Sequence, residues 1–553
     1  MMEILKRRNT RTIILMLILA AVSLILYGRA LGHQFLINWD DRQYVLDNVY
    51  IRGITLGNIK NAFTSFYIGN YAPLHLISYM FDYQVWGLKS SGFILTNILL
   101  HTLNGLLFYH LLSRLAGERV WTFPAVLIFL LHPVQVESVV WISQRKNLLA
   151  MLFFLAALIF YQIFRANSEK YPVRYYFLSL GAFLLAILAK SVVVILPLVL
   201  LLLDLNYLVK REWRRLIIDM IPFLIISVVF SLVAVQSQEL QFQGGRTSWH
   251  GGSPYATFLT MLTVMVSYLR LLIWPSQLSA FYDVPISTSF DMHTVIPSLV
   301  CLLLLAAGVL IYKRKRELFF WYALFFIGLI PVSQVVPIVT LINDRYLYFP
   351  MLGAAPFLAL IAFGDAEWSS FQFNKRTVAG LLVLTAFIGV WTFFSFQRVG
   401  VWENSATLWG DAAEKSPRIA LVHDSYGEGL LEQGKLDDAI VQFKIALNLQ
   451  GRWDNSKPDQ GEMNSRANTH NNLGTAYGMK WMTDAAIEQF NAAISLNPGF
   501  AKAYYNLGNG LMQKGDYGEA LRCFETAVRL EPANPVLVNQ LMRTRELLMQ
   551  KGG

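Results

Sequence analysis

Asp40 and Asp41 stand side by side in Asn38-Trp39-Asp40-Asp41, just beyond an apolar run over residues 12–29. A carboxylate held there can take a proton from a hydroxyl, and a second beside it can orient the first or ligate a divalent ion. Wet loops also carry acids for solubility alone, so the pair gains meaning only from what shares its surroundings. His132-Pro133-Val134-Gln135-Val136-Glu137, followed by Gln144-Arg145-Lys146-Asn147, brings an imidazole, a carboxylate and two cations to the junction of two further apolar runs. Glu137 adds a second acid/base group, while Arg145 and Lys146 can donate hydrogen bonds and charge to a phosphate; the plainer role for both is to anchor the helix end. Lys190, in Ala189-Lys190-Ser191, has no water-soluble flank and demands a partner. Asn343-Asp344-Arg345-Tyr346 joins two more apolar runs; Arg345 can grip a phosphate bidentately with Asp344 positioning it, or the two can simply pair with each other.

These side chains need elements to hold them, and composition says which kind. The chain has 553 residues, 55% hydrophobic, 14% aromatic and only 15% charged, with mean hydropathy +0.44, which describes a polytopic membrane protein. With roughly 20 apolar residues needed per helix, about eleven spans are predicted. They lie near 12–29, 91–113, 121–140, 147–165, 174–190, 192–208, 216–235, 295–312, 318–338, 347–364 and 378–397. The net charge of +10 does not point to nucleic acid, because Lys6, Arg7 and Arg8, then Lys210, Arg211, Arg214 and Arg215, then the cations over 313–316 all flank apolar runs. With the basic N-terminus inside, the loops at Arg114/Arg119, Lys170/Arg174, 210–215, 313–316 and Lys375/Arg376 also fall inside. Residues 255–274 are apolar enough to span, but counting them would turn 313–316 outward, so they are read as re-entrant or interfacial. The run over 12–27 lacks a clean small-x-small cleavage pattern and reads as a retained signal anchor.

This topology gathers Asp40, Asp41, His132, Glu137, Arg145, Lys146, Lys190, Asp283, Asp344 and Arg345 on the outer face, and charges of both signs on one face imply an aqueous cavity. Pro133 should bend its helix, and the long first outer loop, about 30–90, should lay amphipathic helices on the membrane surface. Asn97, His101 and Asn104 recur on one helix face and are assigned to interhelical hydrogen bonds. Cys301 and Cys523, the only cysteines, exclude a disulfide framework and a Cys-x-x-Cys metal site. No metal centre is assigned; Asp40 and Asp41 are the one place where a divalent cation is considered.

From residue 398 the pattern changes to polar helices with a repeat. Asn472-Leu473-Gly474 recurs as Asn506-Leu507-Gly508, Ala486 as Ala520, Phe490 as Phe524 and Pro498 as Pro532, a tetratricopeptide signature. An earlier unit carries Tyr426-Gly427, Ala439 and Phe443 at the same internal spacing, separated by an excess placed around 451–463. About three repeats follow, with helices near 402–415 and 536–549 covering the ends. The fold class is all-α: a membrane core over 1–397 and a helical solenoid over 398–553, an array that binds peptides or protein surfaces.

Taken in order, Asn38 to Asp41 with Asp47-Asn48, His132-Pro133 to Glu137 with Arg145-Lys146, Lys190 with Leu196-Pro197 and Asp204, and Asn343 to Tyr346 with Pro350, then the repeats, resemble one family. It is the GT-C-type membrane glycosyltransferases with C-terminal tetratricopeptide repeats: the transmembrane and tetratricopeptide repeat-containing O-mannosyltransferases and their bacterial relatives. The resemblance implies an inverting transfer of a sugar from a polyprenyl-phosphate donor to a protein hydroxyl on the extracytoplasmic side of a bacterial inner membrane. Asp40 or Asp41 would be the base, with Asp41 given the larger part, and Glu137 would assist. His132, Arg145, Lys146, Lys190, Asp344, Arg345 and Tyr346 would bind substrate, the cations holding the leaving phosphate, and the repeats would recruit the acceptor. Ser191 stands where the eukaryotic members tend to carry Glu, so the sugar stays open. Two other readings are a non-enzymatic repeat scaffold for envelope or export complexes and a ligase or polymerase of lipid-linked oligosaccharide.

Overall fold

The computed structural model describes residues 2–117, 119–166, 173–207, 213–241, 248–364, 366–368, 375–450 and 460–552. Lys170, Lys210, Arg211 and most of the 451–463 excess lie outside the described residues, as do the side chains of Lys6, Arg7, Arg8, Lys375 and Arg376. The described residues are helical throughout, with two isolated bridges and no strand. They divide into two units: 1–279 with 284–403, and 404–553 with 280–283. The first unit therefore runs to 403 rather than 397, because its last helix continues to Val401.

The first unit begins with α1 (Met2–Gly28), the short helices α2 (Leu56–Thr64) and α3 (Pro73–Trp86), the latter packed into the bundle rather than lying on a surface, α4 (Ser90–Ala116) and α5 (Thr122–Leu131). It continues through α6 (Val136–Val140), α7 (Arg145–Ala166), α8 (Val173–Ala189), α9 (Leu196–Tyr207) and α10 (Trp213–Gln241). It closes with α11 (Pro254–Ile273), α12 (Met292–Arg314), α13 (Arg316–Leu329), α14 (Met351–Phe363) and α15 (Lys375–Val401). Seven helices among the described residues are long and apolar enough to cross a membrane. The pair α5 and 133–140, bent by 53° at His132-Pro133, makes an eighth if taken as one span. Proline lacks the N–H that would continue the ladder, and it holds His132 extended (φ −71°, ψ 135°).

The remaining predicted spans are shorter. Val173–Ala189 and Met351–Phe363 have 17 and 13 residues, and α13 has 14. Such helices reach only part-way across ~30 Å of hydrocarbon, and their ends, with Lys190 and Arg345 beside them, stand inside the bundle. α11, expected to be re-entrant or interfacial, is unbroken over 20 residues and is one of the seven helices long and apolar enough to cross. Thr257 donates to the His250 carbonyl, His250 Nε2 lies 3.0 Å from the Ile338 carbonyl, and the Leu272 carbonyl meets His132 at 2.9 Å. α12 shows bare leucines on its flanks, Leu303 and Leu305 both 69% exposed, as a lipid-facing helix does.

Within the core of the first unit, Asn97, His101 and Asn104 join helices as expected. Asn97 Nδ2 donates to the Val139 and Trp141 carbonyls, His101 bonds the Tyr348 hydroxyl at 3.0 Å, and Asn104 Nδ2 donates to the Leu148 carbonyl at 3.0 Å. Arg165 pairs with Asp204 (2.9 Å) and Asp219 (3.3 Å), and Arg119 pairs with Glu317. Arg165 lies 20 residues along α7 from Arg145, so this second polar layer sits about 30 Å from the first.

The second unit comprises α16 (Ser405–Lys415), the antiparallel pairs α17 (Ala420–Glu432) with α18 (Leu436–Gln450), α19 (Gln460–Met479) with α20 (Thr483–Leu496), and α21 (Ala501–Lys514) with α22 (Tyr517–Leu530), then α23 (Pro535–Gly552). Each pair is closed by the same small-against-large contact. A Cβ added at Gly427, Gly474 or Gly508 would meet the Phe443, Phe490 or Phe524 ring at 2.6, 2.6 and 2.7 Å. Ala439, Ala486 and Ala520, all buried, complete each seam.

Candidate active site at one end of the membrane unit

The two aspartates occupy opposite environments. Asp41 is 1% exposed, and both its oxygens accept hydrogen bonds: Oδ2 from the Leu36 amide, Oδ1 from the amide and hydroxyl of Ser143. Burial pushes its carboxyl up to about 6, opposed by the hydrogen bonds from Ser143 and Leu36. Asp41 thus fastens the loop after α1 to the segment between α6 and α7. Asp40, half-buried beside it, makes no hydrogen bond or ion pair among the described residues. Its charge reaches Lys146, Lys190 and Arg345 together. Trp39 fixes the loop by packing on Trp141 (centroids 4.6 Å) and Trp402 (6.3 Å).

The cations divide in the same way. Arg145 is wholly buried on the Asp82 carboxylate at 2.5 Å and also donates to Asn97 Oδ1 (2.8 Å) and the Phe93 carbonyl (2.7 Å), with Tyr79 stacked at 4.7 Å. It is committed to holding α3, α4 and α7 together and leaves no edge for a phosphate. Lys146 rests on the Tyr44 ring at 5.0 Å, and Lys190 donates to Asn147 Oδ1 at 2.6 Å. Neither lysine has a carboxylate within ion-pair distance among the described residues. A buried and a half-buried ammonium group with no counter-ion in contact among the described residues are costly unless an anion arrives. Both line a polar cleft of about 290 Å³ with Asn70, Tyr71, Ser191 and Gln238.

Glu137, 1% exposed, accepts from the Arg345 amide (2.9 Å) and its guanidinium (2.5 Å). It positions Arg345, whose guanidinium also lies over Trp141 (5.4 Å) and Tyr346 (5.4 Å). Asp344 does not pair with its neighbour Arg345 but faces Arg398 of α15 at 3.3 Å. Tyr346 bonds Thr340 at 2.6 Å. His132 is turned away from this cluster, bonded to the Leu272 carbonyl and packed on Trp391 (4.7 Å). The structure therefore brings together Asp40, Lys146, Lys190, Arg345 and, behind it, Glu137. It holds Asp41, Arg145, Asp344 and His132 in supporting contacts.

Asp82, Ser143, Asn147 and Arg398 escaped the sequence reading. Asp82 and Arg398 carried a signal, an acid and a base within apolar helices; Ser143 and Asn147 carried none. Both oxygens of Asp41 already accept hydrogen bonds. Among the described residues no three His, Cys, Asp or Glu side chains gather as a metal site.

Comparison with known proteins adds to this geometry. A tetratricopeptide repeat family model matches residues 501–534. A protein O-mannosyl-transferase of Caenorhabditis elegans is 23% identical over 461 residues, 79% of this chain and 63% of the relative. The human protein O-mannosyl-transferase TMTC1 is 25% identical over 515 residues, 83% of this chain and 56% of the relative. The mouse TMTC2 enzyme is 35% identical over 117 residues, 21% of this chain and 14% of the relative. The chain thus spans less than two thirds of the length of each. Among solved structures, the first tetratricopeptide domain of human RPAP3 is 26% identical over 25% of this chain and 98% of its own, with a TM-score of 0.22. The chain is similar to membrane glycosyltransferases of the GT-C type that carry tetratricopeptide repeats.

Proposed function

We propose that this relative of the protein O-mannosyl-transferases transfers a sugar from a polyprenyl-phosphate donor to a protein hydroxyl, at the extracytoplasmic end of its membrane unit in a bacterial inner membrane. The observation that carries the proposal is one carboxylate, Asp40, whose charge reaches two lysines, Lys146 and Lys190, that line a polar cleft, none of the three having an ion-pair partner among the described residues. Asp40 takes the proton of the acceptor hydroxyl, and the oxygen attacks the anomeric carbon from the face opposite the phosphate. The carbon–oxygen bond to phosphate breaks, the sugar configuration inverts, and Lys146, Lys190 and Arg345 receive the charge on the departing lipid phosphate. Glu137 holds Arg345 in place for this step.

Arg114 and Arg165 stand in the last turns of α4 and α7, with Arg119 just after α4, and by the positive-inside bias these cations support an outer location for the site at the other end of α7. The chain leaves the first unit beside the site, because Arg398, three residues before the end of α15, meets Asp344. The repeats that follow in the chain recruit the protein acceptor. Reconstituted full-length protein tests the reading with a polyprenyl-phosphate sugar and an acceptor protein. Asp40→Asn should lower kcat by about 10²-fold or more with the donor KM little changed, as loss of a general base does. Lys190→Met should raise the donor KM. An Asp40→Asn protein with wild-type turnover would end the assignment.

A further inference from the structure

A tight turn between α2 and α3 also lines the cleft that holds Lys146 and Lys190, through Gly69 and Asn70. Tyr67 and Asn70 exchange backbone hydrogen bonds of 2.9 and 3.0 Å. The two residues between them, Ile68 and Gly69, lie at φ 47° and 63°, as a two-residue turn of this kind demands. Glycine enters that region freely; a β-branched isoleucine is strained in it. Strain of this sort clusters at functional sites and persists only where the surroundings enforce it. Here the Tyr67 hydroxyl donates to the Gln43 carbonyl at 2.6 Å, and Ser237 of α10 donates to the Gly69 carbonyl at 3.0 Å.

The turn also fixes which way Asn70 presents its amide. Nδ2 donates to the Ile68 carbonyl at 2.6 Å and to the Tyr44 hydroxyl at 3.4 Å. A carbonyl only accepts, so the nitrogen must face it and the amide cannot be reversed. Oδ1 is what Asn70 has left to offer, and it accepts no hydrogen bond among the described residues. Gln238, the residue after Ser237 on α10, and Ser191, the residue after Lys190, line the same cleft. Neither side chain is hydrogen-bonded among the described residues, and all three are only part-buried.

These groups sort a ligand by its chemistry. A lipid phosphate diester has no hydrogen to donate, so the lysines attract it and Asn70 Oδ1 repels it. A sugar hydroxyl donates as well as accepts, which suits Oδ1, the Gln238 amide and the Ser191 hydroxyl. One cleft thus joins cations for the phosphate to neutral groups that a phosphate alone would leave unsatisfied. We infer that Asn70 and Gln238 read the hydroxyls of the donor's sugar, with the strained Ile68-Gly69 turn holding Asn70 in the orientation this needs. The inference rests on the lipid-linked sugar donor proposed above and gives its sugar end a binding site.

Equilibrium binding of radiolabelled lipids to the detergent-solubilised full-length protein tests it. The probes are undecaprenyl phosphate and the same lipid carrying mannose, glucose or galactose. The native protein should bind its preferred hexose lipid about tenfold tighter than the bare phosphate. Asn70→Ala and Gln238→Ala should each weaken the hexose lipid by about three- to tenfold, the worth of one neutral hydrogen bond, with the Kd of the bare phosphate unchanged. Lys190→Met should weaken both lipids alike. Gln238→Ala removes no side-chain bond inside the protein, so it keeps the test decisive if Asn70→Ala fails to fold. An unchanged Kd for the hexose lipid, or equal losses for both lipids in either alanine variant, would overturn the inference and leave the donor reading standing. A native protein that binds neither lipid would overturn the donor reading, and the inference with it.

Discussion

At the scale of residues, two adjacent aspartates differ because one found donors and the other did not. Sequence supplied the pair; Ser143, more than a hundred positions away, decided which member stays free. The expectation that Asp41 matters more for chemistry gives way to a proposal in which Asp40 is the base and Asp41 holds it. Burial raises the carboxyl of Asp41 from 3.8 to about 6. The folded protein therefore keeps this proton over a pH range where the unfolded chain has lost it, and stability contributed by the group falls as pH rises from about 4 to 6. In thermal unfolding, the Tm of the native protein minus that of Asp41→Asn should increase as pH drops through that window; a pH-independent difference would contradict it. Arg145 carries a different expectation. Arg145→Met strands Asp82 in the core and should destabilise by about 3–5 kcal/mol, with donor KM unchanged in whatever protein remains folded. A selective rise in KM would return Arg145 to the phosphate site.

Helices show where pattern reading succeeds and where it stops. Glycine, alanine and phenylalanine at fixed spacing announced the repeats because each pair of helices needs the same close approach. Gly474→Ala tests that contact: its Cβ would meet the Phe490 ring at 2.6 Å and the Ala486 carbonyl at 3.1 Å, costing about 1–3 kcal/mol from overpacking, read as a lower Tm of the repeat unit. Hydropathy found the apolar helices but gave too many full spans, since α13 and α14 match lipid in composition and fall short in length. Composition reports what solvent a segment tolerates, and helix ends are set by the partners that take the last carbonyls. Thus Lys190 follows the Ala186 carbonyl bond that ends α8, and a charged side chain reaches the interior at a break no periodicity marks.

For the whole molecule, the chain divides near 403 into two units, each compact in itself, so damage should stay local. Arg145→Met and Gly474→Ala should shift separate unfolding transitions, and the double variant should equal the sum of the two within about 0.5 kcal/mol. A coupling well above that would show one cooperative unit.

What the sequence determined by itself was everything that repeats or accumulates along the chain: a membrane core, a tetratricopeptide array, and the types of side chain available for acid/base and phosphate chemistry. These follow from local composition and spacing, which need no tertiary partner to be read. Tertiary structure decided the roles. It paired Arg145 with Asp82, Asp344 with Arg398 and Glu137 with Arg345, and it left Asp40, Lys146 and Lys190 without opposite charges in contact among the described residues. A buried charge is defined by the partner that reaches it, and partners 50 to 200 residues apart meet only through the packing of helices.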